Sequence, residues 1–217
     1  AFNPLVDISR FGYDADIEIV RHTNRDGHAG PEYSISFERI AVDGDTLTLI
    51  PGQRLDFGGL LKGYMAERMA KGIPGLAGVV VNLGGDVYTL GHDTDGNLFE
   101  FHVEHPLDEN RRLSFTASNA GIATSGSYRR HWSYRGTPFH HILDSTGNKN
   151  PDTDILSATV ITSSGADADA YATAALVLGS DAGAQLLQSH GHEYCFIRTD
   201  GSLLSSIEVR TEPQTYV

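Results

Sequence analysis

Residues 56–70 read DFGGLLKGYMAERMA, and at this stretch the chain changes its habit. From Leu60 to Ala70 the apolar side chains fall at 61, 65 and 69, with 60 and 64 alongside, which is helical spacing. Lys71-Gly72 and Pro74 end the helix. Upstream, residues 14–50 read as strands. Ile17, Ile19 and Val20 form one short run, Tyr33, Ile35 and Phe37 alternate with serines, and Asp43-Gly44 makes a hairpin turn before Thr46–Ile50. Residues 1–13 open with loop and turn residues carrying a few apolar anchors.

Downstream, Gly78-Val-Val-Val-Asn82 is a buried-strand run closed by Leu83-Gly-Gly-Asp86. Strands follow at Val87–Leu90 and Leu98–Val103, separated by a polar turn at 92–96. Ser114–Ala123 reads as a strand broken at Gly121, and Thr124–Ser127 as a turn. Trp132–His141 is polar and aromatic, and Asp144–Asp154 is a turn-rich loop. Leu156–Thr162 is a strand. Ser163 and Ser164 can cap a helix from about Asp167 to Leu178, with Gly179 as its stop. A short helix at about 181–189 stops at Gly191, and two strands flank Asp200-Gly201. The expectation is an α+β protein of antiparallel sheets with two main helices, near 60–72 and 166–178.

The chain of 217 residues is long enough to bury a sizeable core. Its 40% hydrophobic and 20% charged content is that of a globular protein. A formal net charge of −12 repels phosphate backbones and argues against nucleic acid as a partner. A small anionic ligand then needs a local device, such as a metal ion or a helix N-terminus. The single cysteine, Cys195, allows no internal disulfide and sits in a strand-like run. The ten histidines show no zinc spacing. No apolar run approaches the length of a membrane span.

Five segments carry chemistry-bearing residues, each open to a plainer structural reading. In Asp56-Phe-Gly58-Gly59, glycines at a strand-to-helix junction let backbone N–H groups approach a ligand. Lys62 lies in the first turn, where a cation opposes the helix dipole and a bound anion would relieve the conflict. The alternative is a tight turn with a solvated lysine. Asn82-Leu-Gly84-Gly85-Asp86 closes a buried strand and is either a ligand loop or a hairpin. Thr124-Ser125-Gly126, followed by Arg129 and Arg130, suits a phosphate or a solvated turn. In His140-His141-Ile-Leu-Asp144, strand alternation puts His140 and Asp144 on one face, as a base and its orienter or as surface residues. Asp169 and Thr173 are four apart on one helical face, an arrangement of hard oxygens that suits Mg²⁺. The plainer account is an acid that favours the dipole beside an ordinary helix threonine.

Taken in order, the phrases DFGGLLKGYMAERMA, VVVNLGGDVYTLG, IATSGSY, HHILDSTG and ADAYATAALVLG resemble the ApbE family of FAD:protein FMN transferases. The opening FNPLVDISRFGYD also resembles that family, so the likeness runs through roughly residues 2–180. The resemblance implies a two-lobed flavin transferase domain over 1–217, shortened at the N-terminus relative to most members. It implies Mg²⁺ held by Asp169, Thr173 and the backbone carbonyl near Leu61. It places Asp56, Gly58, Gly59, Lys62, Asn82, Gly84, Gly85, Asp86, Thr124, Ser125 and Gly126 around FAD as substrate. His141 is implied near the reacting phosphate, with His141 or Asp144 as base. The implied reaction moves FMN from FAD to a Thr or Ser hydroxyl of a flavin-accepting redox protein and releases AMP. A Mg²⁺-dependent FAD pyrophosphatase and a non-catalytic FAD-binding member remain alternatives. Two features depart from the family: Leu61 stands where a smaller residue is usual, and STG after Asp144 lacks the common proline.

Overall fold

The structure, a computed structural model, describes residues 8–26, 40–49, 51, 55–147 and 149–213. The strand expected at Tyr33, Ile35 and Phe37 lies outside the described residues, as do residues 1–7 and Ile50. In chain order, a 3-10 turn at Ile8–Phe11 precedes α1 (Ile17–Arg21), β1 (Asn24–Arg25), β2 (Ala41–Asp43) and β3 (Thr46–Thr48). Next come α2 (Leu61–Lys71), β4 (Gly78–Leu83), β5 (Asp86–Gly91), β6 (Phe99–Glu104), β7 (Arg111–Ala117) and β8 (Ala120–Gly126). β9 (His131–Tyr134), β10 (Thr137–His140) and β11 (Ile155–Thr162) follow. The chain ends with α3 (Gly165–Leu178), α4 (Ser180–Ser189), β12 (Glu193–Arg198), β13 (Leu203–Ser205) and β14 (Arg210–Pro213).

Two compact units form, one from Ala1–Phe57 with Arg129–Pro151 and one from Gly58–Tyr128 with Asp152–Val217. The second is built on a six-stranded sheet in the order β13-β12-β11-β8-β5-β4, antiparallel at every pairing. Strand alternation gives this sheet two different faces. Val87, Ile122 and Ile161 point to a smaller sheet, β14-β7-β6, and pack with Phe115 and Ala117. On the other face Tyr88 packs with Ala66 and Ala70 of α2, and Gly121 meets α3. The first unit is smaller. Its core is aromatic, with Phe11, Val20, Trp132 and Leu143 buried together and Trp132 Nε1 donating to the Phe11 carbonyl at 2.8 Å.

The two main helices sit where their spacing and caps place them. Ser164 is the N-cap of α3, its hydroxyl accepting from the Asp167 N–H, and Gly179 ends it at φ 83°. The buried face of α2, however, is not the one its large apolar residues suggest. Leu61, Met65 and Met69 are exposed, and Gly63, Ala66 and Ala70 are buried. The cause is the closeness of α2 to α3. A Cβ on Gly63 would stand 1.9 Å from the Gly165 carbonyl oxygen, and one on Gly165 would stand 2.1 Å from that of Gly63. Only small residues fit such a crossing, so the bulky stripe turns outward. Glu67 of α2 then reaches across and accepts from the Gly165 N–H at 2.8 Å, satisfying one of the free amides at the start of α3.

Four local expectations are corrected. Ile17, Ile19 and Val20 lie in a one-turn helix rather than a strand, because Asp16 caps it by accepting from the Glu18 N–H at 2.9 Å. The break between β7 and β8 falls at Ser118-Asn119, where Asn119 takes φ 53°. Gly121 is instead inside β8, where a Cβ would meet the Gly165 Cα at 2.6 Å. Thr124–Gly126 is strand rather than turn, paired residue for residue with Ser157–Thr159 of β11. Finally, β10 ends at His140. Ile142 and Leu143 are both buried, so the alternation that would put His140 and Asp144 on one face does not continue.

The glycine crossing makes a direct prediction. Gly165→Ala drives a methyl into the Gly63 carbonyl and against the Glu67 Cβ, and overpacking of this kind costs about 1–3 kcal/mol or more. Urea denaturation should show a loss of at least about 2 kcal/mol. An unchanged midpoint would mean the two helices are free to separate.

Candidate functional site

The closeness of α2 and α3 brings charged groups together in the second unit. Asp169, one turn into α3, is 3% exposed, and Asp86, at the head of β5, is 4% exposed. Lys62, in the first turn of α2, pairs its ammonium with Asp86 Oδ2 and stands 3.7 Å from Asp169 Oδ2. The Gly63 N–H also points at Asp169 Oδ2, at 3.4 Å. The helix start itself offers no competing acid, since Leu60 gives no side-chain cap and the first turn holds no carboxylate. Burial first, and then the Asp86 carboxylate, push Asp169 up to about 6, while Lys62 and the Gly63 N–H pull the other way. Asp169 is therefore mostly ionised at neutral pH.

Asp86 is aimed by the turn before it. Leu83 pairs with Asp86 across a hairpin whose two central residues, Gly84 and Gly85, take φ 71° and 104°. Both values lie where a side chain is strained, so this turn requires its glycines. The Asn82 amide oxygen accepts from the Gly85 N–H at 2.8 Å and braces the turn. The segment read from sequence as either ligand loop or hairpin is thus a hairpin that delivers a carboxylate.

Thr173 stands one turn after Asp169. Its hydroxyl lies 3.3 Å from the Asp169 carbonyl and 2.9 Å from the Ser125 Oγ. Ser125 and Thr124 are neighbours on β8 and therefore face opposite ways. Ser125 joins Thr173, whereas the Thr124 hydroxyl bonds Thr159 Oγ1 at 2.9 Å on the other face. Gly126 ends β8 beneath the Tyr128 ring. Gly58 and Gly59 form the turn entering α2, and Leu61 opens the helix with its side chain exposed.

These donors fit a hard cation. Mg²⁺ commonly takes one or two carboxylates, neutral oxygens and substrate phosphates rather than a full protein cage. Among the described residues no three His, Cys, Asp or Glu side chains gather as a metal cluster. Two carboxylates do meet at one ammonium, and a pair of hydroxyls lies against the Asp169 carbonyl.

Asp56, His141 and Asp144 belong to the first unit, as does His140. Burial first, then the neighbouring His131, pull His140 down to about 4, so it is neutral at physiological pH. Its Nδ1 accepts from the Ile142 N–H at 3.3 Å. Asn150, which the sequence did not single out, binds this segment. It accepts from the His140 N–H at 3.0 Å and donates to the His140 and Ile142 carbonyls at 2.8 and 2.7 Å, fixing the backbone on both sides of His141. Asp144 starts a turn, its Oδ1 accepting from both the N–H and the hydroxyl of Thr146 at 3.1 and 2.6 Å.

The raised Asp169 has a measurable consequence. Between about pH 4 and pH 6 the folded chain holds a proton on Asp169 that the unfolded chain has released, so this group's contribution to stability falls as pH rises through that window. Measured without divalent metal, Asp169→Asn should match the wild type near pH 4 and exceed its stability above pH 6, by roughly 2–3 kcal/mol. A variant less stable than wild type at pH 7 would show that Lys62 and Gly63 more than offset the burial.

A FAD:protein FMN transferase of Klebsiella pneumoniae (strain 342) is 29% identical over 222 residues, spanning 95% of this chain and 65% of that protein. One of Vibrio cholerae serotype O1 is 27% identical over 192 residues, spanning 86% and 57%. The crystal structure of the ApbE protein of Thermotoga maritima matches with a TM-score of 0.68 at 24% identity, over 79% of this chain and 58% of that one. The apo flavinyl transferase ApbE of Pseudomonas stutzeri matches at 0.65 and 24%, over 82% and 55%. These structural likenesses concern the fold, and the chain spans less than two thirds of the length of each of these relatives. The sequence model of the ApbE family matches residues 1–196, and the chain belongs to that family.

Proposed function

We propose that this chain transfers FMN from FAD to a Thr or Ser hydroxyl of a flavin-accepting protein, with Mg²⁺ at the pyrophosphate. The observation that carries this is the grouping of Lys62, Asp86, Ser125, Asp169 and Thr173 on four of the family's motifs. The relatives matched are themselves named FAD:protein FMN transferases. In this reaction the acceptor oxygen forms a bond to the FMN phosphorus, the bridging P–O bond breaks, AMP leaves, and the hydroxyl proton passes to a base.

Phosphoryl transfer asks a protein for positioning and charge neutralisation more than for covalent help. The metal would supply the charge that steadies the departing phosphate. Asp169 and Thr173 would hold it, with the Leu61 carbonyl. Lys62 supplies the cation that an anionic substrate needs in a chain of net charge −12. Asn82, Gly84, Gly85 and Asp86 line the flavin nucleotide in this account, together with Asp56, Gly58, Gly59, Thr124, Ser125 and Gly126. His141 is the base, held by the Asn150 clamp on its two neighbours. Asp144 serves the turn, where one of its oxygens is already committed twice.

The test is incubation with FAD and Mg²⁺, with and without an acceptor domain, followed by mass measurement of both proteins and assay of AMP. The acceptor should gain the mass of a phosphoester-linked FMN, with one AMP released per transfer. AMP and free FMN appearing at the same rate without acceptor would make the chain a pyrophosphatase. Bound FAD without turnover would make it a non-catalytic member.

Two variant pairs test the residue assignments. Asp169→Asn should cost at least about a hundredfold in transfer rate and Thr173→Val less, because only the first removes charge from the metal. His141→Ala should cost about a hundredfold or more. Asp144→Asn, which keeps an oxygen for the turn, should cost far less. Undiminished transfer by Asp169→Asn would remove α3 from the mechanism.

A further inference from the structure

Asp86 and Asp169 come from different elements, and both carboxylates are almost wholly removed from solvent. Two such charges repel, and burial without compensation is costly. What reaches both is one ammonium, that of Lys62. The position is unusual for a lysine, since the first turn of a helix carries partial positive charge. The Lys62 side chain as a whole is 40% exposed. The ammonium is thus held by the carboxylates at the end of a side chain that solvent reaches.

We propose that Lys62 is the resident counter-cation of the Asp86–Asp169 pair, that a divalent metal displaces it, and that the released ammonium turns to the phosphates of the incoming nucleotide. This rests on the metal assignment made above. Lysine and metal compete for the Asp169 carboxylate, so the nucleotide-free chain, with one of the pair's two negative charges offset, takes up metal weakly. A bound diphosphate gives the displaced ammonium a new partner, which removes the competition. Metal and nucleotide then raise each other's affinity by the same factor, as linkage requires.

Isothermal titration of Mg²⁺ alone into the nucleotide-free chain and into Lys62→Met tests this. Methionine keeps the length of the stem and removes the charge. The variant should bind Mg²⁺ more tightly, by a factor of about 5–150, the range usual for coupled sites. In the wild type, addition of ADP should tighten Mg²⁺ binding, and in Lys62→Met this gain should largely vanish. Equal or weaker binding of Mg²⁺ by a folded Lys62→Met overturns the proposal.

A second measurement needs no variant at this position. The chain has three lysines, Lys62, Lys71 and Lys149, so their ε-methylene NMR signals can be told apart through Lys71→Arg and Lys149→Arg. Saturating Mg²⁺ should move the Lys62 signal and leave the other two in place. An unmoved Lys62 signal overturns the proposal. Flavin transfer that depends on Mg²⁺ while Lys62 fails these tests would leave the transferase function standing. A chain that binds no Mg²⁺ in either form, with or without ADP, overturns both.

Discussion

The approach of two backbones at Gly63 and Gly165 is the constraint on which the rest of the second unit depends. Neither residue has room for a Cβ, and Gly121 of the sheet below closes on Gly165 in the same way. Three elements are thereby pinned at one point, α2, α3 and β8. Asp169 lies one helical turn beyond Gly165 and Lys62 lies next to Gly63, so the crossing that packs the helices also sets the spacing of their charges. Ser125, four residues beyond Gly121 on the same face of β8, meets Thr173 for the same reason. A change that spread the helices would loosen the carboxylate pair and the hydroxyl pair together.

The electrostatics follow from that packing. A chain with net charge −12 would need its positive charge where the phosphates go in order to take an anionic dinucleotide. That charge, the Lys62 ammonium, is here held between two buried carboxylates. Asp169, raised to about 6 by burial and by Asp86, is destabilising when ionised and without metal. A side chain that costs the fold stability and also occupies a packed, polar corner is characteristic of a functional position.

Much of this was legible beforehand, and the limits were physical. Both long helices were readable because spacing, caps and glycine stops agreed, as at Ser164 and Gly179. The one-turn helix at Ile17–Arg21 is too short to show a period, and its isoleucines and valine favour strand when read alone. Thr124–Gly126 has the composition of a turn, and only pairing to β11 makes it a strand. The exposed face of α2 was hidden because spacing reports where large apolar residues lie, while this interface is made of small ones. The helical face shared by Asp169 and Thr173 was visible from a four-residue interval. That Thr124 and Ser125 part company was not, nor the reach of Glu67 to Gly165 or of Asn150 around His141, since each depends on a fold that composition does not encode.

The central claim is that Asp169 and Thr173 hold a divalent metal beside the flavin nucleotide. Crystals grown with FAD and with Mn²⁺ in place of Mg²⁺ would show the ion through its anomalous scattering. The account predicts a peak about 2.0–2.3 Å from an Asp169 carboxylate oxygen and from Thr173 Oγ1, with the Lys62 ammonium withdrawn from the carboxylate pair. FAD bound with no peak at α3, or with the ion held elsewhere while Lys62 still bridges Asp86 and Asp169, would contradict it.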